Sequence, residues 1–303
     1  MSAVAQVWLT GGSGMLASAL RDEFDRLGVS YVATDAELDI TQRERVLAAA
    51  AQHRPHWIIN CAAFTRVDDA EKELEVAQRV NGDGPAFLAE AAREHGASLL
   101  HFSTDYVFAG DAAAPYREQD PVAPRTAYGK TKLEGEQRAL SIHPAGSFVL
   151  RTSWLFGENG PNFVRTMVNL MRERETLKVV QDQLGRPTYT RDLAAAALDL
   201  LGLAQPRAAA PGVYHFANAG EVSWHGFTLG IRAACERLEQ ALRVREILPV
   251  TTAEFPRPAP RPAYSVLDTS RIERALGRAP RPWQTALEHY LAAELAPPTT
   301  RDA

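Results

Sequence analysis

Short apolar runs alternate with stretches of helical period through the first half of the chain. The apolar runs are AQVWLT, YVATD, WIINCAA and SLLHFST, and the helical stretches cover 15 to 27, 42 to 53 and 73 to 94. Strands that alternate with helices predict βαβ units around a parallel sheet. The run from Trp57 to Ala63 follows Pro55 and has almost no polar interruption, which predicts a central strand buried on both faces. One further strand is expected over SFVLRTSWLF, from Ser147 to Phe156, ending at Gly157. Beyond it the order changes: a helix over 162 to 174, an extended LKVVQDQ, a GRPT loop, a helix over 191 to 203, a strand GVYHFAN and a helix over 225 to 241. The segment PRPAPRP, 256 to 262, is too rich in proline for long regular structure.

The pattern therefore predicts an α/β chain divided near residue 153. Residues 1–153 form a doubly wound parallel sheet, and 154–303 form mainly a smaller α/β lobe, with part of 186–204 packing back on the first unit. A length of 303 residues with 46% hydrophobic content suits one large core with an appended lobe, because single cores stop growing at ~250 to 300 residues.

Charge and cysteine content narrow the function classes. A formal net charge of -4 provides no basic face for nucleic acid or an anionic membrane. The N-terminal MSAVAQVWLTGGSG lacks a basic leader, and no run approaches the ~20 apolar residues of a membrane span. Cys61 and Cys235 have neither disulfide-framework nor zinc spacing. A cytoplasmic protein with two ordinary core cysteines is the expectation.

The first strand runs straight into Gly11, Gly12, Ser13 and Gly14, and a helix opens at Met15 and Leu16. Glycines here let the backbone turn tightly and approach a pyrophosphate, which the positive end of the following helix stabilises. The form is TGxxGxxG/A, with Ala17 in the small-residue position, and it makes the expected sheet a Rossmann-type one. Asp35, at the end of the second strand, is about 20 residues on, where a carboxylate accepts hydrogen bonds from an adenosine ribose and repels the extra phosphate of NADP. Asp39 and Ile40, expected after a third short strand, are candidate adenine-edge contacts.

Tyr128 and Lys132 in TAYGKTKLEGEQ are four apart and share a helix face. An ammonium there favours the phenolate. Moving a phenol by ~3 units takes about 4 kcal/mol. With eight tyrosines and only four lysines in the chain, chance supplies about 0.1 such pairs. Ser103 and Thr104 end the strand SLLHFST, so they face the crevice where open α/β sheets bind ligands. Asp105 and Tyr106 follow them. Together these residues are expected to form a site for a nicotinamide dinucleotide.

With these motifs in place, the chain resembles the dTDP-4-dehydrorhamnose reductase family of extended short-chain dehydrogenases. The resemblance runs through NCAAFTRVDDAE (60–71), VN (80–81), STDYVF (103–108), YGKTKLEGE (128–136), RTSWLFG (151–157), NFVRTM, VVQDQLGRPT and RPAYSVLDTS. It implies reduction with NADPH or NADH, with Ala62, Ala63 and Thr65 lining the cofactor and substrate crevice; Gly11, Ser13, Gly14, Met15, Leu16 and Ser103 are the further cofactor-site candidates. It further implies that Tyr128 donates a proton, Lys132 holds the nicotinamide ribose, and Thr104 contacts the keto oxygen of a dTDP-4-keto-6-deoxysugar. Asp105, Tyr106 and Trp154 are expected to flank the sugar. Asn162, Gln183 and Arg261 are candidate nucleotide or phosphate contacts.

Three other readings stay open at this stage. A sugar-nucleotide dehydratase or epimerase shares the fold, but dehydratases of this group carry an Asp-Glu pair after the threonine, and here Asp105 and Tyr106 follow Thr104. A non-catalytic subunit resembling the β subunit of methionine adenosyltransferase would keep the cofactor fold without turnover. A 4-ketoreductase for another dTDP-deoxysugar, such as a dihydrostreptose precursor, would need the same carbonyl chemistry. Some family members are dimers bridged by magnesium through glutamates. Here the corresponding positions are Ala19 and Arg191, with Glu294 the remaining carboxylate, so no metal and either a monomer or a metal-independent homodimer is expected.

Overall fold

The computed structural model describes residues 6–203 and 209–295. The start of the first predicted strand and the extreme C-terminus lie outside them.

In chain order the first half holds β1 (Val7–Thr10), α1 (Met15–Leu27), β2 (Tyr31–Thr34), α2 (Arg43–His53), β3 (Trp57–Asn60), α3 (Val67–Ala70), α4 (Leu74–Gln78), α5 (Gly84–Glu94) and β4 (Ser98–Thr104). A π-helical turn, Arg79–Asp83, joins α4 to α5. Then come α6 (Ala127–Ile142), β5 (Ser147–Thr152), β6 (Leu155–Phe156), α7 (Phe163–Glu173), β7 (Thr176–Val180), β8 (Leu184–Gly185), β9 (Thr188–Tyr189) and α8 (Thr190–Leu200). The last elements are β10 (Gly212–His215), β11 (Val222–Ser223), α9 (Trp224–Arg237), β12 (Glu246–Val250), α10 (Ser270–Leu276) and α11 (Trp283–Glu294). No helix among the described residues is long and apolar enough to cross a membrane.

Six strands form one sheet in the order β10-β5-β4-β3-β1-β2, all parallel. The inner strands are apolar on both faces because helices cover both. Leu9, Ile59, Leu100 and Leu150 pack under α1, α8 and α10, while Trp8, Ile58 and Leu99 pack under α2 and α5. This is the doubly wound Rossmann-type architecture. The strand in GVYHFAN pairs with β5, so the sheet draws its edge strand from beyond residue 153. The smaller lobe has its own apolar cluster, in which Phe156, Val168, Phe227, Trp283 and Tyr290 join α7, α9 and α11 to short strand pairs.

Two expectations need correction. The strand over Ser147–Phe156 is broken: β5 stops at Thr152, Trp154 turns into the left-handed region at φ 49°, and Leu155–Phe156 pairs with β9 in the other lobe. Ser153 Oγ donates to the Arg186 carbonyl and Thr188 N–H to the Trp154 carbonyl, which anchors the turn. No further strand stands between β2 and Asp39, because residues 35 to 42 form turns and irregular chain. The Asp39 carboxylate accepts from Thr41 N–H at 2.9 Å, which holds it below the ordinary carboxylate range, and Ile40 is buried in the α2/α5 cluster.

Candidate active site

The strand order reverses between β1 and β3, which opens a crevice at their carboxyl ends. Gly11 turns there at φ 67°, and a Cβ on it would sit 2.6 Å from the Ala62 backbone nitrogen. Only glycine lets the loops after β1 and β3 meet so closely. Gly14 caps α1 without a side chain, so the N–H groups of Met15, Leu16 and Ala17 have no partner in the helix. Leu16 points its side chain into the core, leaving only its backbone for the crevice. Ser13 N–H donates to the Asp35 carboxylate at 2.8 Å, which brings the acidic end of β2 beside the glycine loop. Free N–H groups at the start of a 13-residue helix, beside a flush glycine turn, are the donor set a pyrophosphate requires.

The loop after β3 carries Ala62, Ala63 and the exposed Thr65. Asn81, from the π-helical turn, fixes it: Phe64 N–H donates to its Oδ1 at 2.9 Å, and its Nδ2 donates to the Phe64 carbonyl and to Thr131 on α6.

Across the crevice, Thr126 caps α6 by accepting from Gly129 N–H at 2.9 Å. Gly129 lies against the Tyr106 carbonyl, where a Cβ would approach within 2.3 Å, so α6 seats directly on the segment after β4. That seating sets the Tyr128 and Tyr106 rings edge to face at 5.6 Å. Tyr128, Lys132 and Glu136 occupy successive turns of one helix face. Burial pushes the Tyr128 phenol above its ordinary range, with the neighbouring Thr104 hydroxyl opposing, so the phenol keeps its proton at neutral pH. Lys132 is 2% exposed; its Nζ donates to the Phe102 carbonyl at 2.7 Å and lies 3.2 Å from Nε2 of His101. Burial lowers the ammonium to about 8, against the opposing field of Glu136.

Thr104 donates to Asp105 Oδ1 at 2.9 Å and accepts from Tyr106 N–H. Burial raises the Asp105 carboxyl to about 6. Among the described residues, the Ser103 and Thr152 hydroxyls are buried without a hydrogen-bond partner. Orphaned polar atoms clustered at strand ends mark a place built for a ligand.

The smaller lobe supplies the far wall. Trp154 stacks on Trp224 with ring centroids 3.5 Å apart and nearly parallel planes. Gln183 is buried and donates to Thr252 at 2.9 Å. Arg261 pairs with Asp68 of α3 at 2.9 Å, a bridge between the lobes across the crevice. Asn162 is spent on structure, since its side chain caps α7 and donates to the Gly157 carbonyl and the Tyr290 hydroxyl. Sequence reasoning did not single out Trp224, Asp68, Asn60, His101 or Thr152. Asn60 and Asp68 lay inside a recognised segment, whereas a histidine within a strand and a tryptophan opening a helix carried no motif.

The RmlD substrate binding domain model matches residues 5–295. The chain belongs to the dTDP-4-dehydrorhamnose reductase family. It is an oxidoreductase of that family. It is 46% identical to a dTDP-4-dehydrorhamnose reductase of Streptomyces griseus, covering 94% of this chain and 93% of the relative. It is 41% identical to a dTDP-4-keto-6-deoxy-D-glucose reductase of Streptomyces niveus, over 92% of this chain and 94% of that one. The crystal structure of the family member from Bacillus anthracis, in complex with NADP, superimposes with a TM-score of 0.88 at 38% identity, covering 96% of this chain and 100% of the other.

Proposed function

We propose that this chain reduces the C4 keto group of dTDP-4-dehydro-L-rhamnose to dTDP-L-rhamnose, consuming NADPH or NADH and one proton. The observation that carries this reading is the placement of Tyr128, Lys132 and Thr104 at one end of the sheet, facing a glycine loop with free helix N–H groups. Gly11 to Leu16 would hold the cofactor pyrophosphate, Asp35 the adenosine ribose, and Lys132 the nicotinamide ribose. The bound nicotinamide supplies the hydride that reaches C4.

Tyr128 meets the developing alkoxide as a protonated phenol and gives up that proton. Thr104 steadies the same oxygen once its hydroxyl turns from Asp105 to the substrate. Trp154 and Tyr106 flank the sugar, and Arg261 exchanges the Asp68 carboxylate for the negative charge of the nucleotide. Asp105, buried behind Thr104, keeps water from the oxygen. Gln183 borders the nucleotide side, and Asn162 acts through its hold on α7.

Incubation with dTDP-4-dehydro-L-rhamnose and NADPH tests the reading. Stoichiometric NADPH loss with dTDP-L-rhamnose as product is expected; a bound cofactor recycled without net consumption, or no turnover, overturns it. The relative from Streptomyces niveus favours a second reading, a 4-ketoreductase for another dTDP-deoxysugar. Comparing kcat/KM for the two ketosugars separates the two readings.

A further inference from the structure

Asn60, at the end of β3, accepts at Oδ1 from the Thr10 hydroxyl at 2.7 Å and from Ala62 N–H at 3.0 Å. A backbone N–H can only donate, so it fixes which way the amide points. The Asn60 Nδ2 therefore faces Nδ1 of His101, 3.0 Å away. An amide nitrogen also only donates, so His101 Nδ1 accepts. A neutral imidazole whose Nδ1 accepts carries its hydrogen on Nε2. That atom lies 3.2 Å from Lys132 Nζ.

An ammonium has three hydrogens and no lone pair, so it would meet His101 Nε2–H donor to donor. A neutral amine fits the same surroundings. It donates one hydrogen to the Phe102 carbonyl at 2.7 Å, accepts from His101, and keeps its second hydrogen for the crevice. Protonating Lys132 would require His101 to change tautomer, which strands the Asn60 donor, or Asn60 to flip, which strands the Ala62 N–H. Each outcome leaves a polar group inside the protein unpaired, which disfavours it.

We propose that Asn60 and His101 are positioning residues that bias Lys132 toward its neutral amine in the resting protein, making it a titrating group of the active site instead of a fixed cation. The inference rests on the proposed reductase chemistry only for its consequence. Where Lys132 carries the amine, Tyr128 remains the phenol that a reduction needs. Once Tyr128 has given its proton to the alkoxide, the phenolate one turn away favours uptake at Lys132 of the solvent proton that the reaction consumes.

The other charged groups around α6 do not supply this bias. Glu136, one turn on, is paired with Arg151 of β5, and its field favours the ammonium. Cys61, after β3, is a half-buried residue whose thiol is pushed up by desolvation and stays neutral. Asp105 faces Thr104. Asp83 of the π-helical turn is paired with Arg138, Asp68 of α3 with Arg261, and Glu71 accepts from Ala127 N–H. Glu75 of α4 is exposed, and Glu90 of α5 is paired with Arg43.

The test is nuclear magnetic resonance on the full chain, labelled with 13C at lysine Cε and 15N in imidazole. Four lysines and eight histidines keep both spectra small. The expected result in the wild-type protein is a His101 with protonated Nε2 and bare Nδ1, and a Lys132 that titrates near 8, about two units below an ordinary lysine. In His101→Gln the amide can turn its oxygen to Lys132, and the midpoint should rise by about one unit or more. A wild-type His101 protonated at Nδ1, a wild-type Lys132 titrating above about 10, or a midpoint unmoved in the variant would overturn the proposal. The wild-type tautomer of His101 decides it even if the variant does not fold. None of these measurements uses a ketosugar, so a chain inert toward every dTDP-ketosugar would overturn the functional reading and leave this one standing.

Discussion

The Arg151 guanidinium on β5 grips the Glu136 carboxylate on α6 through hydrogen bonds of 2.6 to 3.1 Å, with both side chains closed off from solvent. Arg151 also lies over the Phe108 ring, 5.1 Å from its centroid. The pair ties the helix that carries Tyr128 and Lys132 to the sheet beneath it. Breaking a buried pair from one side strands the other charge, so Arg151→Met should cost about 3–5 kcal/mol of stability. Adding Glu136→Gln should restore most of that loss. Urea unfolding of the two single variants and the double variant measures the coupling; strictly additive losses would mean that the two residues do not act as a unit.

Tyr128→Phe removes the proton donor and little else, since the ring keeps its edge-to-face contact with Tyr106. Turnover should fall by about 10²- to 10⁴-fold. The NADPH dissociation constant should stay within about twofold, because the glycine loop and Lys132 are untouched. Stopped-flow reduction and fluorescence titration read the two quantities, and unchanged turnover would remove Tyr128 from its role.

The parts of this molecule that were legible in sequence are those in which local pattern and tertiary role coincide. Buried parallel strands read as apolar runs, the glycine loop reads as its own turn, and Tyr128 with Lys132 reads as a helix face. The break at Trp154 was not legible, because SFVLRTSWLF is uniformly apolar enough to continue as a strand. What ends it is the hydrogen bonding of Ser153 and Trp154 to Arg186 and Thr188, more than thirty residues away in sequence. His101 was hidden for a related reason. A lone histidine within a strand is ordinary, and its meaning arises only when Asn60 and Lys132 arrive from two other elements.

Asp105 makes stability depend on pH. Burial raises its carboxyl from an ordinary 3.8 to about 6 in the folded chain. Above pH 4 the unfolded chain ionises this group while the folded chain does not. The stability it contributes is therefore present below pH 4 and lost as pH rises through 6. Asp105→Asn abolishes that slope, so relative to wild type the variant should gain about 3 kcal/mol on going from pH 4 to pH 7. Urea midpoints at the two pH values test this, and an equal difference between the proteins at both would refute it.

Asp35 bears on cofactor choice. Its carboxylate already holds Ser13 N–H at 2.8 Å, beside the place expected for the adenosine ribose. A 2′-phosphate there meets a negative charge, yet the site is open enough for solvent to screen it. Use of both cofactors is expected, with kcat/KM values within about 100-fold, equivalent to about 2.7 kcal/mol. Asp35→Ser should move the ratio toward NADPH by about tenfold; a ratio unchanged by the substitution would place the ribose elsewhere.

The positions that would carry a bridging metal are committed to other partners. Ala19 is buried in the core under α8. Arg191 pairs with Glu158 at 3.0 Å and reaches toward Asp22 at 3.9 Å. Glu294 pairs with Arg165 at 2.7 Å. Magnesium needs several hard oxygen ligands in octahedral array, and a site with an alanine and a guanidinium in two of its places supplies too few. Freeing Glu294 would also leave Arg165 without its carboxylate. Sedimentation should therefore give the same molecular weight with EDTA and with added magnesium, whether the chain is a monomer or a dimer through another face. A dimer that dissociates on chelation and re-forms with magnesium would show that carboxylates elsewhere on the surface complete a metal bridge.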